Sequence, residues 1–352
     1  MSFQLPVVAI TMGDPAGIGP EIIIKALSEA ILQERCVPLV VGNAKVIEEA
    51  ARVAKKRVSV RVIEKPSEAR DGQKEHVNVL NVCNVDFTKV TYGKVSAEAG
   101  RTAFECIKKA VELALKGEVD AIVTAPISKE ALKIAGYTYS GHTEILATLT
   151  GSKDYAMMLL DDNMRVVHVT THIPLCKVCD FITEDRVFAV IKLADCAMKA
   201  LGIDRPRIGV AGVNPHAGEG GLFGREEMEK IAPAVDRAKK LNIDVEGPLP
   251  GDTIFAKLKG GKYDVVIAMY HDQGHIPIKT LGFTFKENQE GVVTRGVNVT
   301  LGLPIIRTSV DHGTAFDRAG KGISDPGSMI QAIEVAIQLV KGRLVEYYKL
   351  YE

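Results

Sequence analysis

Tryptophan is absent from this sequence, and aromatics of all kinds make up only 5% of it. Base-stacking platforms need such rings, so their scarcity argues against a nucleic-acid partner. An excess of one charge is missing too, since 44 Lys and Arg stand against 44 Asp and Glu. With no net field to draw the chain to nucleic acid or an acidic membrane, any basic site must be local, built by a few converging residues. No run approaches about 18 consecutive apolar residues, so no membrane span is expected. The opening MSFQLPVVAI has no basic stretch followed by a long apolar run and a cleavage site, and reads as a lead-in to a strand. Six cysteines in 352 residues do not make a disulfide framework, which points to reduced thiols and a cytoplasmic setting.

What is present is a large apolar share, 46%, in a chain long enough for two lobes. Short apolar runs alternate with amphipathic stretches. VVAIT (7–11) and PLVVG (38–42) predict buried strands. Between them Gly13 to Gly19 forms a turn-rich loop, and Pro20 suits the first turn of a helix, where its missing N–H costs nothing. EIIIKALSEAI continues that helix. Residues 98–116 predict the clearest helix, with Phe104, Ile107, Val111, Ala114 and Leu115 on one face and Gly117 placed to end it. AIVTAP (121–126), VVHVTTHIP, RIGVAGVNPH, YDVVIAMYHD and IIRTSVDHG read as further strands. Helices are expected at about 184–200, from Arg225, and at about 326–347. This alternation implies the α/β class, with a mostly parallel sheet and helices on both faces. No repeat, low-complexity tract or linker is evident, so two domains would be joined by more than one crossing.

In open α/β sheets ligands bind beyond the carboxyl ends of the strands. Three such ends deliver a histidine: VVHVTTHIP gives His172, GVAGVNPHAGEGG gives His216, and VVIAMYHDQGH gives His271 with Asp272 and His275. Three imidazoles from three strands can hold one divalent cation (Zn, Mg, Co or Mn) and leave positions open for substrate oxygens. Such a cation stabilises an alkoxide as a hydroxyl proton leaves. The alternative for each is a hydrogen-bonded residue at a strand end. His76, in a polar loop, is expected to be merely solvated. HVTTHIPLCKVC also holds His168, His172, Cys176 and Cys179, ligand types for structural zinc, but a second Cys-x-x-Cys is missing and ordinary thiols fit as well.

Gly13-Asp14-Pro15-Ala16-Gly17-Ile18-Gly19-Pro20 matches neither G-x-G-x-x-G nor a P-loop; it would let backbone approach a ligand, or is a plain tight turn. HAGEGGLFG, after His216, could close over an anion or be a surface loop. Gly141-His142-Thr143-Glu144 opens a helix whose N–H groups, hydroxyl and imidazole suit a phosphate or carboxylate, capping by Thr143 being the alternative. Lys279 and Arg307, in strand-like or loop contexts, are candidates for anion contact or for salt bridges to Asp272 or Asp311.

ITMGDPAGIGPEI, YSGHTE, THIPL, GVNPHAGEGGLFG, YDVVIAMYHDQGHIPIK and VNVTLGLPIIRTSVDHGTAFDRAG together resemble the 4-hydroxythreonine-4-phosphate dehydrogenase family over nearly the whole chain. HGTAFDRAGKGISDP (312–326) is similar to the cofactor loop of isopropylmalate and isocitrate dehydrogenases, whose two-lobed fold the family shares without a G-x-G-x-x-G fingerprint. The resemblance implies lobes at 1–145 with 300–352, carrying the cofactor loop, and at 146–299, carrying metal ligands and dimer contacts. It implies His172, His216 and His271 as ligands of one divalent cation, in a site shared across a homodimer. His142, Thr143, Lys279, Asn298 and Arg307 would bind a small phosphorylated acid, and His312, Gly313, Thr314 and Ala315 would meet NAD or NADP. The implied reaction is hydride transfer from C3 of a 4-phosphorylated hydroxy acid, then loss of carbon dioxide. Asp272 or a metal-bound water is a candidate for the base, and Lys279 for a second catalytic group.

The chain departs from the pattern at TFKENQEGVVTRGV (284–297), longer than in the pyridoxine enzymes, and at Arg318 and Asp325. HIPIKTLGF and HGTAFDRAGKGI are closer to a sister branch acting on D-threonate or D-erythronate 4-phosphate, and Asp325 near an adenosine would favour NAD over NADP. Two other classes use some of the same residues: a metal-dependent phosphohydrolase or lyase without nicotinamide, and a phosphate-binding or acyltransferase-like protein.

Overall fold

A computed structural model describes residues 4–71, 76–86, 88–285 and 292–351. Its strands are β1 (Val7–Thr11), β2 (Val37–Gly42), β3 (Ser59–Ile63), β4 (His76–Asn81), β5 (Ala121–Thr124), β6 (Ala156–Asp161), β7 (Met164–His168), β8 (Ile208–Ala211), β9 (Val245–Leu249), β10 (Val265–Ala268), β11 (Phe283–Phe285), β12 (Val292–Thr294), β13 (Val297–Leu301) and β14 (Arg307–Val310). Its α-helices are α1 (Gly19–Leu27), α2 (Ala30–Arg35), α3 (Ala44–Val53), α4 (Ala97–Leu115), α5 (Lys129–Ile134), α6 (His142–Thr150), α7 (Val178–Phe181), α8 (Glu184–Ala200), α9 (Ala232–Lys240), α10 (Gly251–Lys259), α11 (His271–Gly282), α12 (Gly327–Lys341) and α13 (Leu344–Tyr348). The α/β class with mostly parallel strands is as the alternation predicts.

Contacts divide the chain into two units. The first is Met1–Ser152, Thr284–Val297 and Leu303–Val340; the second is Lys153–Phe283, Asn298–Gly302 and Lys341–Glu352. This division differs from the expected lobes mainly at 284–297 and at the C-terminus, and by a few residues at 146–152 and 300–302. Residues 284–297 group with the first unit, where Gly296 N–H donates to Gln331 Oε1 (3.1 Å) and Ser328 Oγ donates to Gly296 O (2.7 Å). The C-terminal residues group with the second, because α13 lies on α8 and the Cys196 thiol reaches Tyr347 O at 3.4 Å. Of the insertion at 284–297, residues 286–291 lie outside the described residues.

In the first unit the strand order is β3-β4-β2-β1-β5-β14, and the neighbouring strands pair parallel. Strands covered on both faces read as unbroken apolar runs, and β1 and β5 are buried at every position. Because all run one way, their carboxyl ends and the loops that follow share one edge. Helix α4 packs on β1, β2 and β5. Its buried stripe uses Phe104, Ile107 and Val111 as expected, but Leu115 is 49% exposed in the last turn. Ala99, Ala103, Cys106, Ala110 and Leu113 complete the stripe, their small side chains letting the helix approach the strands closely.

The second unit has the order β13-β6-β7-β10-β8-β9; β6 and β7 pair antiparallel, and β7, β10, β8 and β9 pair parallel. Its core gathers Leu159, Val166, Ile254, Leu258, Val266 and Ile278. Each such side chain stabilises by roughly 1.5–3 kcal/mol on burial. Ile278 belongs to α11, so the helix that starts with His271 is anchored on this core through β6, β7 and β10.

Three expectations need correction. His76 is not in a solvated loop; it opens β4, opposite Ser59 of β3, with its Nδ1 hydrogen-bonded to the Ser59 hydroxyl. The last helix is two, broken where Arg343 adopts a left-handed φ of 55°. The helix expected from Arg225 begins as a π-turn over Glu227–Ile231 before α9. All six cysteines are free thiols, and among the described residues no helix is long and apolar enough to cross a membrane.

Candidate active site

His172, His216 and His271 stand beyond strand ends but not at them. β7 stops at His168, β8 at Ala211 and β10 at Ala268, because the polar residues that follow turn the chain out of the sheet. His271 and Asp272 form the first turn of α11, with His275 and Lys279 following at successive four-residue steps on the same face. Lys279 is thus helical, not in the strand or loop expected for it. The His271 and His275 rings stack at 3.6 Å with 13° between their planes, and His275 Nδ1–H donates to His271 O at 2.9 Å. Burial, then the neighbouring His168 and His271, push the His275 imidazole down to about 3, and burial pushes that of His168 down to about 4. Both are neutral at physiological pH.

His172 and His271 stand with ring centroids 5.8 Å apart. His271 Nδ1–H donates to Asp272 Oδ1 at 2.7 Å. That pairing fixes the ring and directs Nε2 outward as a donor, the arrangement usual for a metal-ligating histidine. It makes Asp272 an orienting group for His271. His216 lies apart from this pair. It sits in a left-handed turn over Pro215–Gly221 and shares with Asn214, Asp272, Gln273 and Ile276 a hollow of about 630 Å³. Among the described residues no group of three or more His, Cys, Asp or Glu is placed to hold one ion. The expected gathering of His172, His216 and His271 around a single cation is therefore not met within one chain; the turn at Pro215–Gly221 carries His216 on a separate course. The donor types nonetheless suit a divalent cation: imidazoles, one already tied to a carboxylate. The alternative set with Cys176 and Cys179 fails, since His168 is buried, Cys176 is exposed, and no such cluster forms.

In the turn, His216, Ala217 and Glu219 have φ of 53°, 53° and 43°. Each non-glycine residue in that region costs about 1–2 kcal/mol. The structure must hold the turn there from elsewhere.

The first unit supplies a different constellation. Arg307 opens β14 beside Ile122 of β5. Side chains alternate along a strand, so Thr124, two residues on from Ile122, presents its hydroxyl on the same face. Thr124 Oγ1 accepts from Arg307 Nη2 at 2.7 Å and from Nε at 3.2 Å. The guanidinium is buried, which pulls its pKa down to about 9, with the Glu144 carboxylate pulling the other way. It remains charged at neutral pH. Helix α6 starts at His142 behind Gly141, and no side chain caps it. Thr143 lies inside the helix and is not the cap. The first-turn N–H groups are thus presented toward an anion. His142 Nε2 is buried with no hydrogen-bond partner among the described residues. Burial, Arg307 and Lys129 hold that imidazole well below its usual range.

The loop expected to meet a dinucleotide is fixed at both ends. Ile18 N–H donates to Thr314 O at 3.0 Å, and a side chain on Gly17 would stand 3.0 Å from Thr314. Beyond it, Glu21 of α1 accepts from Ser324 N–H (2.7 Å) and Gly322 N–H (3.2 Å), and Lys25 donates to both carbonyls. His312 Nδ1–H donates to Gly313 O at 3.0 Å, and Ala315 is left-handed with φ 42°. Nothing lies within 4 Å of where a Gly313 Cβ would stand, so backbone there is open to a ligand. Asp325 Oδ1 accepts from Gly327 N–H at 2.8 Å and so serves the start of α12. Asn298, on β13 of the second unit, has a buried Oδ1 with no hydrogen-bond partner among the described residues. Thr124 and Lys25 carry no motif that marks them, and Glu21 and Glu144 lie inside motifs that give them no role; only strand register and loop closure bring the four into view.

Imidazoles with an orienting carboxylate in one unit, and a buried arginine beside an uncapped helix start in the other, define an α/β enzyme equipped for a small anionic substrate. The chain belongs to the PdxA family: residues 34–336 match the family described as "Pyridoxal phosphate biosynthetic protein PdxA". It is 50% identical to the D-threonate 4-phosphate dehydrogenase of Salmonella typhimurium, over 94% of this chain and 98% of that one. It is 49% identical to the D-threonate 4-phosphate dehydrogenase of Pectobacterium atrosepticum, over 95% of this chain and 99% of that one. Its structure is similar to that of a 4-hydroxythreonine-4-phosphate dehydrogenase from Klebsiella pneumoniae, with a TM-score of 0.82, 48% identity, and coverage of 95% and 99%. This is the family the motifs resemble, and all three named relatives are dehydrogenases.

Proposed function

We propose that the chain is a nicotinamide-linked, divalent-cation-dependent dehydrogenase of D-threonate 4-phosphate or its D-erythronate epimer. The observation that carries the reading is the likeness of about half of all residues, over 94% of the chain, to a relative named for that substrate. Oxidation of the C3 hydroxyl gives a β-keto acid; its C1–C2 bond then breaks, carbon dioxide leaves, and a proton added at C2 yields dihydroxyacetone phosphate. When bound, the nicotinamide supplies the hydride acceptor, and the cation supplies positive charge where electrons accumulate. His172 and His271 would hold the cation from one chain, and His216 from a second copy.

The chain's own groups carry the rest. Arg307, fixed by Thr124, is a permanent positive charge for one anionic end of the substrate. The first turn of α6 and the neutral His142 donate hydrogen bonds to the phosphate, and Lys279 serves the other anionic end. Asn298 Oδ1 accepts from a substrate hydroxyl. Asp272 keeps the proton on His271 Nδ1 and so keeps Nε2 available. The loop from His312 to Ala315 receives the dinucleotide, and Asp325, already engaged with α12, would disfavour a 2′-phosphate only indirectly.

Exposed Leu175, Phe181, Leu222, Phe223, Met228 and Ile276 support a homodimer. The test is a panel of D-threonate, D-erythronate and 4-hydroxythreonine 4-phosphates with NAD or NADP and a divalent cation. Reduced nicotinamide and carbon dioxide should form in equal amounts, fastest with a sugar-acid phosphate. Phosphate release without nicotinamide, or no turnover across the panel, would refute the reading.

A further inference from the structure

The turn that bears His216 is left-handed over five successive residues, three of them not glycine. Nothing within such a turn favours it for L-residues, so its stability must come from outside. The outside group is Glu227, the first residue of the π-turn before α9 and only 2% exposed. Glu227 Oε1 accepts from Val213 N–H at 2.8 Å and from Asn214 N–H at 2.7 Å. Its Oε2 accepts from Asn214 Nδ2 at 3.0 Å, and that amide also donates to Glu226 Oε2 at 2.8 Å. These donors fix the chain entering the turn. The far side closes on the same carboxylate: a side chain on Gly218 would stand 2.7 Å from Glu227 Oε2, and one on Gly212 would stand 3.0 Å from Oε1. The carboxylate therefore fills a cradle that only glycine leaves open.

We infer that Glu227 is a positioning residue for His216, holding the left-handed turn closed so that the imidazole is presented in one orientation. A buried carboxylate held by three N–H donors is costly to lose, and only an acceptor at both oxygens satisfies all three at once. Glutamine keeps the volume but puts a donor where Asn214 also donates. The π-turn is the local distortion that places this carboxylate; such insertions in helices recur at functional sites. The inference rests on the reading of His216 as a cation ligand.

The test combines three measurements on the full-length chain: hydrogen exchange of the amides at 213 and 214, Co²⁺ affinity followed by its visible absorption, and steady-state turnover. Glu227→Gln should leave the thermal melt cooperative, speed exchange at 213–214 at least about tenfold, and weaken Co²⁺ about 10–100-fold, as loss of a group orienting a ligand does. kcat should fall while KM for the phosphorylated acid changes little. Adding Ala217→Gly, which relieves the left-handed strain, should recover part of the Co²⁺ affinity in the Glu227→Gln background. If Glu227→Gln does not fold, Asn214→Ala removes one donor, keeps the carboxylate, and is read in the same way. Unchanged exchange, or faster exchange with unchanged Co²⁺ affinity, overturns the inference while leaving the cation reading intact. If instead His216→Ala binds Co²⁺ as well as the unaltered chain does, the cation reading itself falls, and the functional half of this inference falls with it.

Discussion

Asp14 illustrates how one buried atom sets a pH response. Its Oδ1 accepts from Ala16 N–H at 2.8 Å, whereas Oδ2 is buried with no hydrogen-bond partner among the described residues. Burial raises its pKa from 3.8 to about 6, with the Ala16 N–H opposing. A folded-state pKa above the unfolded one adds stability that is complete below about pH 3.8 and is lost as pH rises through about 6. Asp14→Asn keeps the acceptor for Ala16 and cannot titrate. Urea unfolding at pH 5 and pH 8 should therefore show the unaltered chain losing about 1.4 kcal/mol relative to the variant between those values. Equal changes in both chains would refute the assignment. The loop concerned was legible in the sequence as a glycine-rich link between strand and helix. That it grips the loop at Thr314 was not, because that contact joins residues about 300 positions apart. Thr124 shows the same limit: at the end of an apolar run it reads as one more strand residue, and only the register of β5 with β14 makes it the partner of Arg307.

At the scale of elements, α8 was legible in the sequence at about its observed span, and α6 from its opening behind Gly141. Helix α11 was not. HDQGHIPIKTLG contains a glycine and an internal proline, and follows a buried strand so closely that it reads as that strand's tail. Tertiary packing overrides the weak propensity, with Gly274 as the contact that permits it. A side chain there would meet His168 Nε2 and stand 2.8 Å from Val166 Cγ1, both buried on β7. Gly274→Ala sets two effects against each other. Helix propensity alone would stabilise by about 1 kcal/mol. Overpacking against a central strand costs about 1–3 kcal/mol, and we expect it to win. The denaturation midpoint should fall, and Co²⁺ affinity with it, since His271 rides on this helix. A raised midpoint would mean that α11 is not seated on β7 as described.

For the whole molecule the question is why His216 stands apart from His172 and His271 when all three are of ligand type. The surface around it bears on the answer. Leu222 and Ile276 are 73% and 62% exposed, and Ile276 lines the hollow that holds His216. The segments beside Leu222 are bound to one another: Lys230 Nζ donates to Cys179 O at 2.7 Å, and Met228 Cε would lie 2.9 Å from a Gly221 side chain. A second copy covering this surface would bury those side chains and could bring its own His216 to the His172–His271 pair, whereas a foreign partner would leave the ligand set incomplete. The double substitution Leu222→Asp with Ile276→Asp places charge in the middle of that contact without touching a proposed ligand. Sedimentation velocity should show dimers for the unaltered chain and monomers for the variant, and the monomers should retain their thermal melt but lose both Co²⁺ binding and turnover. An unaltered chain that sediments as a monomer and still turns over would show instead that one copy gathers all its ligands itself, by a movement of the left-handed turn.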